Sequence, residues 1–515
     1  MKLKSKSNIL NINDFYIFYI LYFLVLPLGF FIRILYSKSL TPMEFGIIYS
    51  LLSFFSFILV FTNFGFSASL GHYIPKYIVA KKYEKIKNLF YYSFIIQFIL
   101  TLLASIGIFI FASFIAENYF HNMEVLIFLK IFLIYFISLN LFRTLTDVFL
   151  AYKMNVYYQV ISFLQMFFIL IFSLFFYLIG DFNLVLYYSY IWAFVTLFFF
   201  IVSIFFLFYK FRYLLSIPSF DKVLIKEHFE YSWYMFLNAI GNNLLSNVDI
   251  LMITYFFGVA EVAYYSNALA LVIMLTSIFS SFSIVFMTIF SELKEKEDYE
   301  SLRKVINYLY TLIIYLIIPI SLVFFLFSKE IMVLIYGQEY ILGAGALMML
   351  SLFSIFKVLS KYNLFFINGL GLGKKLLYLV IPVVVFNLIT NYFFIKWFSI
   401  EGAAVSTGIA WVLLTVFGLK IISKDINLNL DVKKLIKIFF LFIIFILTVF
   451  FLKWIIVFEN IYLEGITVLG ISFLIYLVLG YLLNVYKFSE FYLFLPQVIS
   501  SKVKPIHQKY FKFLK

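Results

Sequence analysis

Residues 15–50 read FYIFYILYFLVLPLGFFIRILYSKSLTPMEFGIIYS. From Phe15 to Tyr36 the one charge is Arg33, and a short polar turn through Lys38, Thr41, Pro42 and Glu44 intervenes before the apolar run resumes at Phe45. A helix rises about 1.5 Å per residue, so a hydrocarbon core about 30 Å thick asks for about 20 apolar residues. The first run meets that length and a second follows at once, the pattern of a helical hairpin crossing a bilayer. Carried outward, the same reading gives fourteen stretches: 15–36, 45–67, 89–114, 125–150, 157–179, 184–209, 231–257, 262–289, 306–327, 341–367, 376–395, 401–422, 435–457 and 462–484. The expected fold is an all-α polytopic membrane protein of 14 transmembrane helices.

Lysine and arginine fill every second gap between these stretches. With the amino terminus placed in the cytoplasm, the inner gaps and tails carry 28 of them, among them Lys76, Lys81, Lys82, Lys85 and Lys87 in the first inner loop. The outer gaps carry three, Lys38, Lys329 and Lys396. Basic residues flanking membrane helices favour the cytoplasmic side, so both termini are expected there, in a multi-pass protein of the cytoplasmic (inner) membrane.

With 65% hydrophobic and 12% charged residues, the chain is not an ordinary soluble domain. Its net charge of +14 is spread over short loops and a basic tail, 485–515, which suits contact with anionic membrane lipid and excludes nucleic acid as a partner. There is no cysteine for disulfides or thiolate metal sites, and His72, His121, His228 and His507 all lie outside the apolar stretches. The longest gap, 210–230, is far below the roughly 50 residues of a small catalytic domain. No cofactor site is expected, and the chain reads as a transporter, not an enzyme.

Two turns about 216 residues apart resemble each other. Arg33 is followed by Leu40-Thr41-Pro42-Met43-Glu44-Phe45-Gly46 and Ile47-Ile48-Tyr49-Ser50, and Asp249 by Gly258-Val259-Ala260-Glu261 and Val262-Ala263-Tyr264-Tyr265-Ser266. The charged residue precedes the glutamate by 11 residues in one and 12 in the other. Such duplication predicts two pseudo-symmetric six-helix lobes, 1–215 and 216–430, followed by two appended helices in 431–484.

Charged and amide side chains inside the apolar stretches are the candidate site, because hydrocarbon penalises them unless they pair or line a wet cavity. Asn238, Asn242, Ser246 and Asp249 follow the rhythm of one helix face. Asp249 must pair, stay protonated or bind a cation, while the asparagines serve either a cavity or interhelical packing. Arg143 and Asp147 stand four residues apart, spaced either to neutralise each other or to work. Lys357 and Lys361 share a face and repel unless an anion or carboxylate lies between them. Pro27, Pro319 and Pro382 fall within stretches and predict kinks.

At these residues the chain resembles the polysaccharide transporters, or O-antigen-type flippases, of the multidrug/oligosaccharidyl-lipid/polysaccharide exporter superfamily. The resemblance spans roughly 12–484. It rests on the fourteen-helix plan, on Arg33 with Leu40-Thr41-Pro42 and Phe45-Gly46, and on Asn63-Phe64-Gly65-Phe66-Ser67-Ala68-Ser69-Leu70. It rests further on Asp249 with Gly258 and Tyr264, on Tyr336-Gly337-Gln338-Glu339-Tyr340, and on Gly402-Ala403-Ala404-Val405-Ser406-Thr407. Asn63 stands where an acidic residue is expected before the glycine.

The resemblance implies a MATE-like architecture and export of a saccharide carried on a polyprenyl phosphate or pyrophosphate, from the cytoplasmic to the outer face by alternating access. Arg33, Arg143, Lys357 and Lys361 become candidate phosphate contacts, since their N–H groups form charge-assisted bonds to phosphate oxygens. Asn238 and Asn242 are candidate sugar contacts, and Asp249 and Asp147 candidate ion-coupling groups. The implied partners are the lipid-linked saccharide, membrane lipid and glycosyltransferases or polymerases of the same pathway, with the transporter itself a monomer. An ion-coupled multidrug antiporter and a peptidoglycan-precursor flippase are the alternatives. A glycosyltransferase or polymerase would need acids or histidines on a large outer loop, and 328–340 offers only Glu330 and Glu339.

Overall fold

Among the described residues, 12–180, 183–219, 221–281, 283–456 and 461–485, helix makes up most of every apolar stretch in the computed structural model. The helices are α1 (Ile12–Ser39), α2 (Pro42–Asn63), α3 (Phe66–Val79), α4 (Tyr83–Ile110), α5 (Ala112–Asn118), α6 (Val125–Ala151), α7 (Asn155–Ile179), α8 (Leu184–Lys210) and α9 (Lys222–Phe257). They continue as α10 (Val259–Ser281), α11 (Ser283–Glu295), α12 (Tyr299–Leu326), α13 (Ser328–Tyr336), α14 (Ala344–Gly369), α15 (Gly373–Ile426), α16 (Val432–Ile455) and α17 (Ile461–Leu482). The basic tail beyond Val485 lies outside the described residues.

Eleven helices among the described residues are long and apolar enough to cross a membrane. The chain is an all-α polytopic membrane protein. Four of the fourteen stretches stand differently. The stretch 231–257 lies in α9, which carries the amide-rich face and is not counted among the eleven. The stretches 376–395 and 401–422 share α15, whose backbone leaves helical geometry at Phe398 (φ −131°, ψ 16°) and Ser399 (φ 52°, ψ −135°), in the gap between them. The last stretch is α17, with a shorter apolar part at Thr467–Leu482. Outward faces are apolar: Leu178 is 73% exposed, Phe205 72% and Trp454 80%, tolerable where lipid is the solvent.

Local chemistry sets the helix starts. Thr41 and Glu44 form a capping box at α2, with Thr41 N–H donating to Glu44 Oε2 at 3.0 Å and Pro42 in the first turn, where its missing N–H costs no bond. Asp221, Asp298 and Asp431 each accept a backbone N–H at the start of α9, α12 and α16.

The chain divides into two compact units. The first comprises Met1–Met274, Lys329–Leu347 and Val380–Thr407. In it α6 packs on α8, α1 on α7, and α9 along α2 and α3. Tyr36 stacks on Tyr188 with ring centroids 4.1 Å apart and bonds Ser173 at 2.9 Å. Backbones approach closely at two glycines. A Cβ on Gly46 would overlap the Val259 carbonyl oxygen, and one on Gly65, itself at φ 75°, would overlap that of Ser232.

The second unit comprises Leu275–Ser328, Met348–Leu379 and Gly408–Lys515. There α16 and α17 pack on each other and α16 on α12. Tyr315 and Tyr476 stack at 4.8 Å, and each hydroxyl donates to the other's backbone carbonyl, at 3.1 and 2.8 Å. Two aromatic side chains are thereby buried with their polar tips satisfied.

Candidate functional site: two charges held by a repeated turn

Arg33 and Asp249 lie in the first unit, each at the place its turn motif assigns. Arg33 sits near the end of α1, half-buried. Its Cζ lies 3.8 Å from the Tyr49 ring centroid and 5.6 Å from that of Phe45, so the guanidinium is stacked on an aromatic wall. Nη1 donates to Asn267 Oδ1 at 3.0 Å and Ser266 Oγ at 3.3 Å. Among the described residues no carboxylate forms an ion pair with it, and its Nε and Nη2 hydrogens make no protein hydrogen bond. A guanidinium has five N–H donors in a planar fork, so part of that fork has no protein acceptor among the described residues.

Asp249 is buried, 2% exposed. Its Oδ2 accepts from Tyr265 Oη and Thr407 Oγ1, each at 2.6 Å, and its Oδ1 from Asn391 Nδ2 at 2.8 Å. These neutral donors offset part of the carboxylate's desolvation. Asn391 is itself held by Asn387 at 3.3 Å, which bonds Ser406 at 3.2 Å, so α15 supplies a connected polar backing.

The two turns share one internal contact. Arg33 meets Tyr49, sixteen residues on, and Asp249 meets Tyr265, also sixteen on. The cation takes the ring face, where the π-quadrupole is negative; the anion takes the hydroxyl. The turns also meet each other, through the backbone approach of Gly46 to Val259 and through Ser266 and Asn267, which reach Arg33.

The other expected site residues each have surroundings of their own. On α9 the polar face divides: Asn242 and Ser246 are exposed and Asn238 half-buried, whereas Asp249 is enclosed. Asn242 Nδ2 donates to the Asn238 carbonyl at 3.1 Å and Ser246 to that of Asn242 at 2.9 Å, bonds that the helix satisfies by itself. On α6 Arg143 is exposed and Asp147 half-buried, and no ion pair forms between them; Ser67 lies beside the Asp147 carboxyl. Lys357 and Lys361 are in the second unit, Lys357 with its Nζ 4.7 Å from the Trp411 ring centroid and Lys361 exposed.

Asn63, which replaces the expected acid, joins a neutral cluster. It donates to Ser67 at 2.7 Å and Gln97 Oε1 at 3.4 Å; Gln97 Oε1 also accepts from Thr144, and Asn140 links Thr62 to Thr101. At the start of α9, ahead of 231–257, His228 is wedged between Ser69 and Ser93, 2.7 Å from the latter, and burial pulls its pKa down to about 3.

Tyr265, Ser266 and Thr407 had a sequence signal, since they fall within quoted motifs. Asn267 and Asn391 had none.

A model of a family described as polysaccharide biosynthesis protein matches residues 37–345, more than half of the chain. The chain belongs to the polysaccharide biosynthesis protein family. It is 27% identical over 503 residues to an uncharacterized membrane protein of Methanocaldococcus jannaschii, covering 91% of this chain and 95% of that one. It is 29% identical over 219 residues to a probable low-salt glycan biosynthesis flippase, Agl15, of Haloferax volcanii, covering 41% of this chain and 44% of the relative. Among solved structures it resembles the lipid II flippase MurJ in an inward closed conformation, with a TM-score of 0.72 at 14% identity over 90% of this chain and 98% of that one. It also resembles an inward-facing multidrug resistance MATE transporter, with a TM-score of 0.65 at 15% identity over 77% and 94%. The protein is a multi-pass membrane member of this family, with a fold like that of MurJ and the MATE transporters.

Proposed function

We propose that this protein is a flippase that moves a saccharide linked to polyprenyl phosphate or pyrophosphate from the cytoplasmic to the outer face of the cell membrane. The observation that carries the reading is Arg33, a half-buried guanidinium on an aromatic wall with no ion pair among the described residues. A phosphate head group supplies the negative charge such a fork accepts, while its polyprenyl tail stays in lipid. Family membership and the glycan flippase relative support the same class of cargo.

In this reading the fourteen stretches are fourteen crossings. Two six-helix lobes, 1–215 and 216–430, alternate access to the two faces, 431–484 adds two helices, and both termini are cytoplasmic. Arg143, Lys357 and Lys361 are further phosphate contacts along the route, Asn238 and Asn242 meet sugar hydroxyls, and Asp249 and Asp147 take the coupling ion. Substrate-loading glycosyltransferases or a receiving polymerase are its pathway partners, and one chain suffices for transport.

The test is translocation of a fluorescent polyprenyl-pyrophosphate saccharide in proteoliposomes. Arg33→Ala is expected to lower the initial rate at least about tenfold at equal protein incorporation; an unchanged rate removes Arg33 from the site and the reading with it. The caged Asp249 also favours a second reading, an ion-coupled antiporter of the MATE type. Efflux of a cationic dye driven by a sodium or proton gradient, with no movement of the lipid-linked saccharide, would select that reading.

A further inference from the structure

Three consecutive residues of α10 divide their bonds between the two charges. Tyr265 donates to Asp249, while Ser266 and Asn267 accept from Arg33. Successive side chains leave a helix about 100° apart, so this one turn stands between a carboxylate on one side and a guanidinium on the other. Its geometry is stiff. Whatever shifts Tyr265 shifts Asn267 by nearly the same rigid movement.

We infer that Tyr265, Ser266 and Asn267 are positioning residues that couple the ionic state of Asp249 to the anion-binding capacity of Arg33. The inference rests on the reading of Arg33 as an anion receptor and goes beyond it. Three observations carry it. The Tyr265 bond is charge-assisted, so neutralising Asp249 with a proton or a monovalent cation weakens the tether that fixes the turn. Asn267 is fully buried and its Nδ2 has no hydrogen-bond partner among the described residues, although its Oδ1 holds Arg33. The present arrangement therefore leaves one Asn267 donor without a protein acceptor among the described residues, so a shift of the turn breaks no bond at that nitrogen. Finally, Arg33 spends Nη1 on these two acceptors, and a shift of the turn releases that nitrogen to a phosphate oxygen.

On this inference neutral Asp249 goes with an Arg33 that has more donors free for its anion, and ionised Asp249 with a turn tethered through Tyr265. Linkage makes the effect reciprocal, so an anion on Arg33 raises the affinity of Asp249 for its proton or cation by the same factor.

The experiment uses the full chain in lipid nanodiscs, with inorganic pyrophosphate as the probe and calorimetry as the readout, at acidic and alkaline pH and with sodium or choline as the salt. Wild-type affinity is expected to rise on the order of tenfold under the condition that neutralises Asp249. Dependence on pH identifies a proton, and dependence on sodium at constant pH identifies the metal cation. Asp249→Asn should fix the affinity at one value across all conditions. Tyr265→Phe, which keeps the ring, and Ser266→Ala should each shrink the dependence to less than about twofold, and Asn267→Ala should do the same. A Tyr265→Phe protein that keeps the full dependence overturns the coupling, as does a wild type without any. Arg33→Ala separates the two ideas. If that variant still binds pyrophosphate at wild-type affinity, the anion-receptor reading fails; if it loses binding while Tyr265→Phe keeps its ion dependence, the coupling alone fails.

Discussion

The turn after Arg33 and the turn after Asp249 are built alike and hold opposite charges. Each places a tyrosine sixteen residues beyond the charged side chain, yet Tyr49 offers Arg33 its face while Tyr265 offers Asp249 its hydroxyl. The burial differs as well. Arg33 is half-buried with unused donors, whereas Asp249 is enclosed by Tyr265, Asn391 and Thr407. Two similar turns can therefore serve two chemistries, because an aromatic phenol presents a π-face to a cation or an O–H to an anion.

The contact between the turns is the part whose loss should matter most. Gly46→Val drives a branched side chain into the Val259 carbonyl, and backbone cannot yield as a side-chain tip does. The expected cost is about 3 kcal/mol or more, seen as loss of monodisperse protein or a large fall in Tm. Gly29 of α1 has nothing within 4 Å of a Cβ, and Gly29→Ala is its control, unchanged or slightly more stable. Equal losses in both variants would mean that the contact between turns is incidental.

The opposite end of α9 provides a third buried group, kept neutral. His228 has a pKa of about 3 in the folded chain against an ordinary 6.5, the result of burial. Below about 6.5 the unfolded chain takes up a proton that the folded chain refuses until about 3. Stability is thus unaffected above that window and falls as pH drops through it. Thermal unfolding across the window should show a decline that His228→Gln reduces; parallel curves for both proteins would refute the assignment.

The tyrosines give the sharpest contrast, because one substitution at equivalent places should have different outcomes. Tyr265→Phe removes a donor to a buried carboxylate and should destabilise by about 1.5–3 kcal/mol. Tyr49→Phe keeps the ring face on Arg33 and should stay within about 0.5 kcal/mol. Denaturation of the two variants side by side decides it, and similar values would show that the geometry of the two turns does not distinguish their tyrosines. The smallest effect expected at the proposed anion site is that of Arg33→Lys. It keeps the charge but loses the planar fork and much of the stack, for a loss of roughly 1 kcal/mol, or about fivefold in pyrophosphate affinity.

How much of this was legible in the chain follows from distance along it. The helices were, because a bilayer imposes a length on each apolar run without reference to its neighbours, and Thr41, Pro42 and Glu44 announce the start of α2 locally. The likeness of the two turns in sequence was legible for the same reason. The face of α9 was partly so: periodicity grouped Asn242, Ser246 and Asp249, yet only Asp249 is enclosed, since spacing shows which residues share a face but not what covers each part of it. Nor did spacing reveal that Arg143 and Asp147, one turn apart on α6, form no ion pair.

The sequence alone determined a membrane-embedded helical chain, its repeated turn and the two charges worth watching, all properties of segments that can be read one at a time. The tertiary structure alone decided what holds those charges. The partners of Asp249 on α15 come from 142 and 158 residues away, and those of Arg33 on α10 from 233 and 234. A buried charge must be solvated by whatever groups packing brings to it, and at such separations only the folded chain specifies which groups those are.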